Sequence, residues 1–165
     1  MSFKKIKQPK TIYINDRLKL TKVTKDRYKL ALPWYSNPEI LYYSEGRDIA
    51  PYEIEKITKM YDYLSSIGEL YFIEILENNS WKAIGDVTLS QENLPIVIGD
   101  GDYFGKGIGK QVVATLINRA KILGLTELHI PLVYKYNIRS QKLFTSLGFT
   151  LLQENDDYYS YVLTL

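Results

Sequence analysis

Four glycines stand within nine residues in "GDYFGKGIG", Gly101 to Gly109, between the apolar run "LPIVIGD" and an amphipathic stretch that starts at Ile108. Glycine allows positive φ and close approach of the backbone, at a cost in chain entropy. Within a first helical turn each one weakens the helix by roughly 1 kcal/mol. A chain that gathers them where a strand runs into a helix needs close contact with something there. Helix starts offer unbonded N–H groups and the positive end of the peptide dipoles, so an anion, above all phosphate, is the expected partner. Two familiar versions of such a junction do not fit. A P-loop has Ser or Thr directly after its lysine, whereas Gly107 follows Lys106. The dinucleotide fingerprint G-x-G-x-x-G belongs to the first strand–helix crossing; here the spacing is G-x-G-x-G and several strands come before it.

The rest of the chain alternates strands and helices. "TIYINDRLKLTKV" reads as a hairpin or one long strand broken near Asn15-Asp16. Thr24 is expected to cap a short helix limited by Pro33, and Pro38 and Pro51 each to open a further one. In the last of these, Ile54, Ile57, Tyr61 and Leu64 share a face, and Gly68 ends it. "ELYFIEILE" and "WKAIGDVTLS" form a hairpin around Asn78-Asn79-Ser80. After the glycine loop, Ile108, Val112, Leu116, Ala120 and Leu123 mark a helix stopped by Gly124. "ELHIPLV" is a strand, "NIRSQKLFTSLG" a helix with Asn137 as N-cap and Gly148 beyond its end, and "FTLLQE" and "YYSYVLTL" two strands around Asn155-Asp156-Asp157. With no repeat or linker, residues 1–165 are expected to form one mixed α/β domain.

A net charge of +2 gives no case for nucleic acid. No apolar run reaches the roughly 18 residues needed to span a bilayer, and "MSFKKIKQPK" lacks the apolar run of a signal peptide. The chain has no cysteine, which removes disulfides, thiolate metal sites and a covalent cysteine intermediate. A cytoplasmic protein without a metal, monomeric or homodimeric, is expected.

"GKGIGKQVV", followed at the expected spacing by "NIRSQKLFTSLGF", resembles the GNAT superfamily of acyl-coenzyme A N-acyltransferases. The first segment is similar to the pyrophosphate motif of that family, Arg/Gln-x-x-Gly-x-Gly/Ala, and the second to its later asparagine-containing helix; together they cover about Pro95 to Phe149. The resemblance implies a mostly antiparallel sheet of six to seven strands flanked by helices. It also implies that a splayed parallel pair, "LPIVIGD" and "ELHIPLV", opens a cleft for acetyl-CoA. The N–H groups of Gly105, Lys106, Gly107, Ile108 and Gly109 would then ring the pyrophosphate. Lys106 and Lys110 would add charge or remain solvated. Main-chain groups from Val97 to Asp100, Ile98 included, would pair with the pantetheine arm. Asn137 would contact that arm or serve as the helix cap. Phe104 stands where the motif has Arg or Gln, which removes a side-chain contact.

Acetyl transfer to an amine needs a base for the ammonium proton and an acid for the leaving thiolate. The family's acid is a tyrosine seven residues after the asparagine, and this chain has Phe144 there; Tyr134 and Tyr136 are the substitutes. Candidate bases are Asp100, then Asp86, then Glu92. His129, between Leu128 and Ile130, reads as structural. With no cysteine, direct attack in a ternary complex is the expected route. The acceptor is assigned to "WYSNPEILYYSEGRDIAPYE", with Trp34, Tyr43, Glu45 and Asp48 as contacts, because aromatics and carboxylates suit a cationic amine. This stretch faintly resembles aminoglycoside 6′-N-acetyltransferases, although Pro95 stands where those enzymes have an Asp. A small-molecule or peptide amine is therefore expected, with antibiotic modification or non-catalytic acyl-CoA binding as alternatives.

Overall fold

The structure, a computed structural model, describes residues 6–165. Met1 to Lys5, half of the basic N-terminal stretch read above, lie outside the described residues.

Two sheets carry the fold. The first has the order β1 (Thr11–Asn15), β2 (Leu18–Lys22), β3 (Glu69–Glu77), β4 (Ser80–Leu89), β5 (Ile96–Ile98). The second has the order β6 (Glu127–Tyr134), β8 (Tyr158–Thr164), β7 (Thr150–Glu154). Every ladder is antiparallel. Among the described residues the strands number eight, close to the six to seven expected, and the break after Asn15 is a hairpin turn between β1 and β2. The β3–β4 turn has Asn78 and Asn79 at φ 51 and 62, the left-handed pair that a two-residue hairpin requires. The strands expected to splay, β5 and β6, fall in different sheets with no ladder between them.

The helices are α1 (Leu32–Tyr35), α2 (Pro38–Ser44), α3 (Ile54–Ile67), α4 (Ile108–Ile122) and α5 (Ile138–Ser146). Two proline readings change. Pro33 opens α1 instead of limiting the 3-10 helix Lys25–Ala31 before it, because a first-turn residue has no use for the N–H that proline lacks. Pro51 lies outside α3, whose N-cap is Glu53. Pro38 opens α2 as expected, with the Asn37 side chain accepting from the Glu39 N–H. An unexpected 3-10 turn, Gly101–Tyr103, separates β5 from the glycine loop.

Strand β3 shows how the layers form. Its side chains alternate between two cores, Tyr71 and Ile73 on one side, Leu70 and Phe72 on the other. The first core seats α4 through Val112, Leu116 and Ala120, and joins the two sheets by also taking in Leu128 and Ile130 of β6. The second core fixes the α1–α3 segment through Trp34, Tyr35, Leu41, Ile57 and Tyr61. Helix α4 is tied to β3 by the Arg119 guanidinium, which forks onto Glu69 at 2.9 and 2.8 Å. Arg119→Lys would keep the charge but lose the fork, costing about 1–2 kcal/mol. Its expected result in a thermal melt is a Tm lower by about 3–6 °C.

Candidate active site

A cleft of about 1000 Å³ runs between β5 and β6. One half is bounded by residues 103–110 and α5, the other by Tyr35, Glu39, Tyr43, Glu45 and Asp86. Charge divides the same way. Lys106, Lys110, Arg139 and Lys142 line the loop half, whereas Glu39, Glu45 and Asp86 line the opposite half.

In the loop half, Gly105 and Gly107 take φ 70 and 75 and turn the chain sharply into α4. Gln111 is the first amide past the loop to bond, to the Gly107 carbonyl at 3.2 Å. From Gly105 through Lys110 no backbone N–H donates to another group among the described residues. Six donors therefore remain for an anion at a helix start. Phe104, standing in for the motif's Arg or Gln, carries the Arg139 guanidinium 4.5 Å above its ring, so a cation is present beside the loop after all.

Strand β5 supplies an open edge. Thr88 N donates to Pro95 O and Gly99 N to Ile84 O, so residues 95, 97 and 99 bond toward β4. By alternation the main-chain groups of Ile96 and Ile98 face the cleft. Of the stretch expected to pair with the arm, Val97 spends its groups on Asp86 across the ladder, which leaves those of Ile98 open. Asn137 has both polar atoms engaged, Oδ1 accepting from Ser140 N at 3.1 Å and Nδ2 donating to Tyr43 O at 3.4 Å. The cap reading thus holds, and the side chain also binds α2.

Tyr134 and Tyr136 do similar work. Their hydroxyls donate to the carbonyls of Glu45 and Tyr42, and the Tyr136 ring stacks on Tyr42 at 4.1 Å. The α2 segment, anchored in the second core by Leu41, is therefore fastened to the far lip of the cleft. Burial, with Tyr134 and Tyr42 nearby, raises the Tyr136 pKa and keeps its proton on.

The structure places Asp86 and Asp100 in different surroundings. Asp100 lies outside the cleft lining, paired with Lys82 at 2.9 Å and capping Asp102 N. The Lys82 ammonium, with that N–H, holds its carboxyl below the usual value, which makes it a poor base. Asp86 projects from β4 two residues after a bulge at Ile84 and is 3 % exposed. Its Oδ2 accepts from the Tyr35 hydroxyl at 2.7 Å and the Tyr61 hydroxyl at 2.6 Å. Its Oδ1 accepts no bond among the described residues and is not sealed off from solvent, so it is the oxygen left for the cleft. Burial pushes the Asp86 pKa up to about 6; the two phenols oppose that shift and Glu45 adds to it. Glu45 itself is raised by burial, against the pull of Tyr52 and Lys56.

Of the acceptor residues, Tyr43 and Glu45 line the cleft, but Trp34 and Asp48 do not. Trp34 packs edge-on to Phe72 at 5.5 Å and lies hard against Gly99, where a Cβ would come within 2.1 Å of its ring. Asp48 is exposed in a left-handed turn at φ 56. Glu92 and His129 line a separate cavity, with His129 bound to Glu127 at 2.8 Å. Phe144 lines the cleft with no hydroxyl to offer. The sequence reading missed Tyr35, Tyr61 and Arg139. Arg139 stands two residues after Asn137 in the quoted motif and was within reach; the two tyrosines carry no local signal.

Residues 17–150 match the acetyltransferase (GNAT) domain family. A curated but uncharacterised protein of Methanocaldococcus jannaschii is 30% identical over 149 residues, covering 85% of this chain; the chain spans 29% of that relative's length. The crystal structure of a domain from the same organism superposes with TM-score 0.78 at 28% identity, covering 91% of this chain and all of that one. The microcin C7 self-immunity acetyltransferase MccE, solved with acetyl-CoA and AMP, gives TM-score 0.74 at 18% identity, covering 96% and 98%. Spermidine N-acetyltransferase from Vibrio cholerae, solved with CoA and spermine, gives 0.72 at 18%, covering 91% and 96%.

Proposed function

The chain belongs to the GNAT acetyltransferase family, and from that premise we propose that it moves an acetyl group from acetyl-CoA to a primary amine by direct attack. The observation that carries this reading is the pairing of six unbonded loop amides with a buried carboxylate in one cleft. The amides of Gly105 to Lys110, with Lys106, Lys110 and Arg139, would bind the pyrophosphate, and the open edge at Ile96 and Ile98 would align the arm. Acetyl-CoA, once bound, supplies the activated thioester. On the acidic side, Glu45 and Tyr43 would hold the cationic acceptor near Asp86. The Asp86 Oδ1 accepts the nitrogen's proton, a transfer helped to the extent that burial against the protein lowers the amine's own pKa. For Tyr136 to protonate the departing sulfur, its hydroxyl would first have to leave the Tyr42 carbonyl to which it donates.

Calorimetry with acetyl-CoA, followed by thiol release over a panel of amines, tests the proposal. Binding with turnover of at least one amine is expected. Absence of binding would overturn the coenzyme assignment, and binding without any turnover would leave only a non-catalytic acyl-CoA-binding role. That second reading draws its support from Phe144. For the loop half, Arg139→Ala is expected to weaken acetyl-CoA binding about 5–20-fold, the loss of one charged phosphate contact. An unchanged Kd would remove Arg139 from the site.

A further inference from the structure

Among the described residues three acids are buried, Glu69, Glu74 and Asp86. The first two have a guanidinium, Arg119 on Glu69 at 2.8 Å and Arg27 on Glu74 at 3.4 Å. Asp86 has none. The groups that meet it are Tyr35 from α1, Tyr61 from α3 and Glu45 at the end of α2. Its ladder partners are apolar, Phe72 on β3 and Val97 on β5. A carboxylate placed only for rigidity is best served by a fixed cation, which also locks it in the ionised form. Two phenols instead stabilise the charge without a counter-ion and leave the group free to gain and lose a proton.

Those phenols are rigidly held. Tyr35 is 2 % exposed and stacks on Tyr52 at 5.2 Å; Tyr61 is fully buried, edge-on to Tyr28 at 5.2 Å and Phe72 at 5.9 Å. Both hydroxyls reach the same oxygen, Oδ2. Their own pKa values are raised far above the ordinary value, chiefly by burial, so they remain donors across the working pH range.

We propose that Tyr35 and Tyr61 are positioning residues for Asp86, which grip Oδ2, turn Oδ1 into the cleft and keep the carboxylate competent to take the acceptor's proton. The role rests on Asp86 acting as the base, but its physical core can be measured without any acceptor. The carboxyl carbon of Asp86 is followed by NMR against pH in the full-length protein, its signal identified by its loss in Asp86→Asn. Tyr35→Phe and Tyr61→Phe should each move the midpoint upward by about 0.5–1 pH unit, and the double variant further, because each removes a donor to the charged form. An unmoved or lower midpoint in both single variants overturns the proposal; should the double variant fail to fold, the singles decide.

With an amine that turns over, the acid limb of the kcat/KM profile should move up by the same amount, with the plateau above pH 8 kept within about threefold. A merely structural pair would lower the plateau and leave the limb in place. The two readings fail separately. If Asp86→Asn retains activity and its acid limb, Asp86 is not the base, whatever the NMR midpoints show. If that limb disappears but the tyrosine variants shift nothing, the base stands and the positioning role falls.

Discussion

Asp86→Asn is expected to lower turnover by about two to four orders of magnitude, the range for loss of a positioned general base, with acetyl-CoA affinity unchanged. The fold should tolerate the change, since an amide oxygen can still accept from Tyr35 and Tyr61. Stability supplies a second, opposite signature. The folded carboxyl ionises at about 6 and the ordinary aspartate at 3.8. Between those values the unfolded chain has released its proton while the folded protein keeps it. The raised pKa therefore favours unfolding as pH rises: the contribution of Asp86 to stability falls from about pH 4 to pH 7, by roughly 2–3 kcal/mol. Asparagine does not titrate. The stability of the variant relative to wild type should then improve by about that amount between pH 4 and pH 7, read from denaturant melts at the two pH values. A relative stability that is flat with pH would show that Asp86 is not held in this state.

Gly107→Val is expected to weaken acetyl-CoA binding by about 50-fold or more while the protein stays folded. At φ 75 and ψ 11, Gly107 is the left-handed residue from which α4 starts. A β-branched side chain there is a steric outlier, costing about 1–2 kcal/mol in that conformation. No atom lies within 4 Å of where its Cβ would sit, so nothing in the core is disturbed. The chain can relieve the strain only by rotating the peptides on either side, which turns the N–H groups of the anion site away from one another. Gly109 offers the control. Its φ is not left-handed, and a Cβ would meet Leu143 at an ordinary 3.5 Å, so Gly109→Ala should bind within about threefold of wild type. Calorimetric Kd values for the two variants make the comparison; equal losses would contradict the geometric account.

The spacing of the glycines marks the loop but treats Gly105, Gly107 and Gly109 alike. Only backbone angles separate the two that must be left-handed from the one that is simply helical. Helix α4 and the β3–β4 hairpin were legible because local signals govern them, a run of apolar residues at helical spacing and an Asn-Asn turn. Pro33 misled because proline at a helix start and proline after a helix end look the same in sequence. What sets the two candidate acids apart is not legible in sequence, for a deeper reason. Asp100 and Asp86 are both acids beside strand residues, and what distinguishes them lies far along the chain. Lys82 neutralises the first, while Tyr35 and Tyr61, 51 and 25 residues away, enclose the second. Burial and partners at such distances are properties of the packed sheets and helices. Trp34 shows the converse: an aromatic in a suggestive stretch, taken up by Gly99 and Phe72.

The α2 segment is fastened by Tyr134, Tyr136 and Asn137 through the carbonyl oxygens of Glu45, Tyr42 and Tyr43. Every amino acid brings the same carbonyl, so these three fasteners make no demand on which side chains that stretch carries. Exchanging the side chain of Tyr43 or Glu45 would therefore leave all three bonds in place, whereas Tyr42 also holds the segment by stacking its ring on Tyr136.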